Sequence, residues 1–415
     1  MGKVLIITDL FPPAFGPRMG YLTKYLKQTG WESEVVTEQV NDKTFDFLAH
    51  QVPVTYVSFY TARNSFLRKL QWIFVQILDL CFGYKDLKME KAAAKRMALT
   101  HFDLVLCSSF RTFPLTAARN IARRYNLPFV VDLRDVIEQY SGYEFISHPL
   151  PHLLGLEKKI AEWFRDHSIA KRDKCLGVAD IVTTVSPWHV ALLRPLCCNV
   201  QLICNGYDPE LFFPQSIPTD KFVITYTGRL LSTAMRDPHL LFDALNRLGK
   251  SGQLTPESCQ VNWYVDKASE KVIAAEAEQY GVMPFMQFKG YVAAEKIPQI
   301  LNESSILLLL TNKATDDGPK GIMTTKFYES LAVKKPILCV TSDEDCLEAA
   351  LNESHAGLAG HNTDEVCDFL LRHFSEWKEK GFTTADTDEQ TLRNYSRKEQ
   401  AKQFAALFNR LTQHT

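Results

Sequence analysis

The sequence predicts an α/β protein built as two parallel-sheet domains, and three observations carry that reading. The chain has 415 residues, more than one ordinary hydrophobic core serves. Short, wholly apolar runs alternate with stretches of helical length, the pattern of strands covered on both faces by crossover helices. The stretch from Ile306 to Val340 then forms one complete unit of this kind: strand, glycine-containing loop, helix, strand.

In chain order, residues 3–8 form an apolar strand that begins almost at Met1, without the longer apolar segment and small-residue cleavage site of a secretory signal. A loop punctuated by Pro12, Pro13 and Gly16 leads past Arg18 into a helix over 19–29, with Gly30 as its stop and a strand around Val35 and Val36. The loop is not Gly-x-Gly-x-x-Gly, so dinucleotide binding gains little from it. Residues 67–82 read as a dense apolar helix, short of the ~20 residues a membrane span needs. Between 63 and 96 there are eight Lys/Arg and three Asp/Glu. Trp72 and the phenylalanines with flanking bases fit peripheral contact with anionic lipid, and equally a helix packed on the first domain with solvated ends.

Residues 102–107, 128–132 and 181–185 are further buried strands. Asp132-Leu-Arg-Asp135 follows one of them at a carboxyl edge, where Arg134 and Asp135 are either ligand-facing or a structural ion pair. Asn205-Gly-Tyr-Asp208 with Pro209 and Pro214 marks a linker. The second half opens with a strand over 222–227 and the turn Gly228-Arg229, where a missing Cβ lets an anion approach the backbone and a guanidinium offers paired donors. Strands over 260–265 and 286–290 follow, then Tyr291. An amphipathic helix spans 392–411.

The Ile306–Val340 unit places its loop at the carboxyl edge of the sheet, where open α/β sheets bind ligands and helix N-termini attract anions. Thr324 suits the N-cap. Lys326 and Glu329, three apart, share one side of the helix: a cation for phosphate and a carboxylate for paired hydroxyls, or an ordinary surface pair. Asp343-Glu-Asp345 has the spacing of a metal-binding pair, but acids opposing a helix dipole explain it more simply.

Composition narrows the classes. Charged residues are 23% and apolar residues 46% of the chain, ordinary globular values. Ten cysteines make no Cys-x-x-Cys pair, which points to a reduced, cytoplasmic setting, and no metal site is expected. Residues 1–200 hold 25 Lys/Arg against 19 Asp/Glu; the remainder holds 22 against 29. The two halves therefore suit different partners or one another, and no basic, aromatic-interleaved stripe suggests nucleic acid.

The 316–340 segment resembles the signature of retaining glycosyltransferases of GT-B fold, the group 1 or family four type. The resemblance extends nearly end to end, through Phe-Pro-Pro…Gly16…Arg18, Asp-x-Arg134-Asp135, Asn205-Gly-x-Asp208, and Gly228-Arg229. It implies two Rossmann-like domains facing across a cleft, an acceptor domain over 1–200 and a donor domain over 201–391, with residues 392–415 crossing back to the first. A nucleoside-diphosphate sugar would be the donor and a glycan or lipid-linked hydroxyl the acceptor, at the inner face of the membrane, with no cofactor. Arg229, Lys326 and Glu329 would be the catalytic set. Gly228, Arg236, Tyr291, Gly321, Ile322, Met323, Thr324 and Thr325 would bind the donor, and Gly16, Arg18, Arg134 and Asp135 would face the acceptor. Gly321 stands where the family has its first glutamate, with Asp316 and Asp317 out of register, so sugar identity is open. A GT-B nucleotide-sugar epimerase and a non-catalytic glycan-binding or scaffold protein are the rival readings.

Overall fold

The structure, a computed structural model, describes residues 1–413 apart from 50, 63, 111, 141–154, 231, 234–235 and 315–320. Two compact units result. Unit 1 comprises Met1–Cys204 and Arg397–Thr415; unit 2 comprises Asn205–Ser396.

Unit 1 is a seven-stranded, all-parallel sheet of β1 (Gly2–Thr8), β2 (Trp31–Glu38), β3 (Val54–Val57), β4 (Leu104–Ser109), β5 (Phe129–Leu133), β6 (Ile181–Thr184) and β7 (Val200–Leu202). The spatial order is β3-β2-β1-β4-β5-β6-β7. The alternation of β1 builds the two layers around it. Leu5 and Ile7 enter a core with Met89, Ala93, Ala118 and Ile121, while Val4 and Ile6 enter another with Leu22, Phe404 and Phe408. The helix Arg397–Thr412 thereby completes the layer that Pro17–Leu26 begins. The first helix ends as expected, passing through a 3-10 turn to Gly30 at φ 88°.

Unit 2 is a six-stranded, all-parallel sheet of β8 (Phe222–Thr227), β9 (Cys259–Tyr264), β10 (Met286–Phe288), β11 (Ile306–Leu310), β12 (Ile337–Val340) and β13 (Gly357–Ala359), in the order β10-β9-β8-β11-β12-β13. Each sheet grows outward one way and then returns to the far side of its first strand, next to β4 in unit 1 and β11 in unit 2. A crevice opens at the carboxyl ends of the strands at such a reversal, since the loops on either side run to opposite faces.

The apolar helix expected over 67–82 is Ser65–Phe82, ended by Gly83 in the left-handed conformation, and a second helix, Tyr84–Met97, follows it directly. One predicted helix is divided. The final helix is broken into Glu389–Asn394 and Arg397–Thr412. The break falls where the Tyr395 carbonyl accepts from the Tyr207 amide, 3.1 Å, so an external strand-like partner replaces the helical bond. All ten cysteines are free thiols.

Candidate functional site

The strongest cluster lies at the reversal of unit 2. Gly228, at φ 121°, turns the chain off β8, and its amide donates to the Tyr264 carbonyl, 3.0 Å. The Leu230 amide donates to Ser269 Oγ, 3.0 Å, and the Tyr226 hydroxyl to the Arg229 carbonyl, 2.9 Å. With the turn pinned from both ends, Lys326 reaches over it from the first turn of the helix Thr325–Ala332. A Cβ on Gly228 would lie 2.4 Å from Lys326 Cε and 2.7 Å from Nζ, so glycine leaves the room in which the ammonium sits. That ammonium also stands 5.5 Å over the Tyr226 ring.

Two arginines join it. Arg236 donates to the Arg229 carbonyl on the same turn. The Arg229 guanidinium is largely exposed, its Nε 3.4 Å from Asp266. Asn312, just past β11, holds the Arg236 loop in place: its Oδ1 accepts from the Asp237 amide, 2.9 Å, and its Nδ2 donates to the Thr233 carbonyl, 3.1 Å. Burial, and then repulsion from Arg236, push the Lys326 ammonium down to about 7, against a smaller opposing pull from Glu329. Three cations around one glycine turn, one of them poorly neutralised, make a place for a multiply charged anion.

The approach to the helix is shaped by acids from the next loop. Thr324 is the N-cap, as expected, although its hydroxyl makes no capping bond. Gly321 is buried at φ 62°, a left-handed backbone that suits glycine over glutamate, and its amide donates to Asp345 Oδ2, 3.2 Å. Met323 is buried, whereas Ile322 is partly exposed and Thr325 half-buried. Asp343 accepts from the Leu347 and Glu348 amides, each 2.9 Å, so it caps the helix Cys346–Ser354 as the dipole argument predicts. No metal-binding group of side chains occurs among the described residues. Glu329 lies half-buried on the Lys326 helix, and Tyr291 is 68% exposed beyond β10. Asp316 and Asp317 lie outside the described residues.

In unit 1 the Arg18 guanidinium is buried against Asp132, with 2.8–3.2 Å bonds from Nε and NH2, and also donates to the Ile203 and Cys204 carbonyls. Burial pushes the Asp132 carboxyl up, but Arg18, with Thr183 and Ser108, holds it below the usual carboxylate range. Arg134 pairs with Asp9 at the end of β1, not with its neighbour Asp135. Asp135 accepts from Gln139 Nε2, 2.9 Å, and Gln139 Oε1 lies 2.8 Å from His189 Nε2. Burial pushes His189 down to about 4, which favours the neutral imidazole. Gly16 is the N-cap of the first helix, and a Cβ there would lie 2.7 Å from the Leu10 carbonyl oxygen.

Sequence reasoning missed Asn312, Ser269 and Asp266. Asn312 carried a weak signal, a polar residue directly after the apolar run of β11; the other two are brought to the turn only by the fold.

No known family's sequence pattern matches the chain, and no curated protein matches it in sequence. Solved structures match it throughout. Sucrose-phosphate synthase from Thermosynechococcus elongatus has a TM-score of 0.64 at 13% identity, covering 100% of both chains. Anabaena Alr3699/HepE in complex with UDP has 0.64 at 14%, covering 99% of this chain and 100% of that one. The lipopolysaccharide outer core galactosyltransferase WaaB has 0.55 at 16%, covering 99% and 100%. At these identities the likeness is one of fold: two Rossmann-like units in tandem, the GT-B fold.

Proposed function

We propose that the chain is a glycosyltransferase that moves a sugar from a nucleoside-diphosphate sugar to a hydroxyl of a glycan or lipid-linked acceptor, with retention. The observation that carries this reading is the Lys326 ammonium seated on the Gly228 turn, with Arg229 and Arg236 beside it. A pyrophosphate there gains three cations and the positive end of the Lys326 helix. The bond from the anomeric carbon to the diphosphate oxygen breaks, and a bond to the acceptor oxygen forms on the same face. The acceptor proton passes to the leaving diphosphate. Charge growing on that diphosphate is what preorganised cations stabilise in the transition state. Glu329 holds the ribose hydroxyls, and exposed Tyr291 offers a face for the base. The loops after β1 and β5, with Asp9–Arg134 and Asp135, take the acceptor side without Arg18.

The solved likenesses support the direction. HepE was solved with UDP and with UDP-glucose, and WaaB is a lipopolysaccharide galactosyltransferase. The test is nucleotide release from a panel of UDP-, GDP- and ADP-sugars, with and without lipid-linked acceptors. Acceptor-dependent release is expected, falling at least ~10-fold in Glu329→Gln through loss of a charged hydrogen bond. Acceptor-independent interconversion of the sugar would instead support an epimerase. Equal turnover in Glu329→Gln would remove its ribose role.

A further inference from the structure

The helix Ser65–Phe82 is turned inside out. Its polar residues face the protein: Gln71 Oε1 accepts from the Thr61 and Ala62 amides at 3.0 and 2.9 Å, Gln76 donates to the Tyr60 hydroxyl at 3.3 Å, and Asp79 accepts from the Lys85 amide at 2.7 Å. Its apolar residues face outward. Phe66, Leu67, Leu70, Ile73, Phe74 and Ile77 are all between 49% and 66% exposed, and Val75 is the one buried side chain of the helix. The exposed positions recur every three to four residues, so they form one continuous stripe. A second helix of the same unit, Leu156–Leu176, repeats the arrangement: Ile160, Trp163 and Phe164 are 38–52% exposed while Ala161 is buried. The ion pair Lys171–Asp86, 2.6 Å, ties this helix to Tyr84–Met97, which directly follows the first.

We infer that these two helices form a docking face for an anionic lipid bilayer, on which unit 1 lies without crossing. Water-facing stripes of this size in a soluble chain mark an interaction surface. Charge selects the partner. Arg68 and Lys69 flank the first stripe and Lys158 and Lys159 the second, all exposed, while exposed Glu162 and Asp166 stand beside Trp163 on the second helix. Of the other cations in residues 63–96, Lys85 and Arg96 are paired inward with Glu38 and Glu34, so Arg68 and Lys69 carry the charge of the first stripe. Basic flanks beside Phe, Trp and Leu suit the boundary between headgroups and acyl chains, and repel a second copy of the same basic face. No described helix is long and apolar enough to cross a membrane. The face concerns unit 1 alone and does not depend on the donor chemistry proposed for unit 2.

The test is flotation of the full chain with phosphatidylcholine vesicles, with and without 30% phosphatidylglycerol. Binding to the anionic vesicles is expected, at least ~10-fold stronger than to the neutral ones and weakened by salt. The variant Ile73→Glu/Phe74→Glu/Ile77→Glu, whose side chains touch water already, should keep its circular dichroism and lose at least ~10-fold in partitioning. Trp163→Glu should weaken binding separately. Absence of binding to anionic vesicles, or binding that the triple variant retains, would overturn the proposal. So would a wild-type dimer in sedimentation that the triple variant converts to monomer, since the stripe would then be a protein interface.

Discussion

Lys326 meets two opposed demands, because a phosphate partner needs its charge and its surroundings disfavour it. With the ammonium pushed down to about 7, the folded chain binds this proton less tightly than the unfolded chain does. The group therefore lowers stability below about pH 7, and that cost fades as pH rises toward the ordinary lysine range. Nucleotide binding has the opposite sign. A diphosphate favours the charged form, so complex formation near pH 8 takes up a proton, and affinity falls above about pH 7. UDP affinity is expected to drop roughly tenfold between pH 7 and 8.5, with Lys326→Met weaker and nearly flat across that range. Calorimetry in buffers of differing ionisation enthalpy measures the proton uptake; pH-independent wild-type binding would contradict the role. Arg18 is the contrast. Its sequence context matched a ligand loop, but whether an arginine meets solvent or a buried aspartate depends on what lies 114 positions away, at Asp132.

The loops that build the site owe their shape to the strands that carry them. Gly228 must adopt a backbone conformation essentially confined to glycine, and Lys326 occupies the space a side chain would take. Gly228→Ala should cost about 1–3 kcal/mol of stability in denaturant unfolding. It should also displace the ammonium and reduce nucleotide affinity at least ~10-fold, read by titration; full affinity would mean the turn is not where the anion lies. The strands β1, β4, β5, β8, β11 and β12 were legible as buried, mostly apolar runs, and β6 and β9 from their β-branched and aromatic residues. The edge strands β3, β7 and β13, only three or four residues long and half-exposed, carry no such pattern. Gly357 shows why β13 exists at all: a Cβ there would fall 1.8 Å from the Ile337 carbonyl oxygen, so only glycine lets this strand lie against β12. The Tyr395 carbonyl likewise divides a helix whose periodicity reads as continuous.

Across the chain, two units with separate cores divide the charge, 25 Lys/Arg against 19 Asp/Glu in residues 1–200 and the reverse excess beyond. The basic half carries the outward apolar helices, and the more acidic half sets three of its 22 Lys/Arg, namely Arg229, Arg236 and Lys326, around one turn. Ligand binding should therefore register unevenly. Nucleotide at about 100 times its Kd stabilises the bound unit by ~2.7 kcal/mol. Hydrogen exchange of amides in β8, β11 and β12 that open only with unit 2 is expected to slow by up to ~100-fold. Protection confined to unit 1 would place the nucleotide elsewhere.

The fold class was readable from the chain because burial on both faces of a parallel strand demands an apolar run whatever the neighbours are. Glycines at turns and the Lys326–Glu329 spacing were readable for a similar reason, since backbone conformation and helical pitch are local. Partnerships were not. That Lys326 crosses to Gly228, that Asn312 anchors the Arg236 loop, that Asp345 takes the Gly321 amide and that Arg18 is consumed by Asp132 are facts of strand order. Strand order brings together residues that no spacing along the sequence relates.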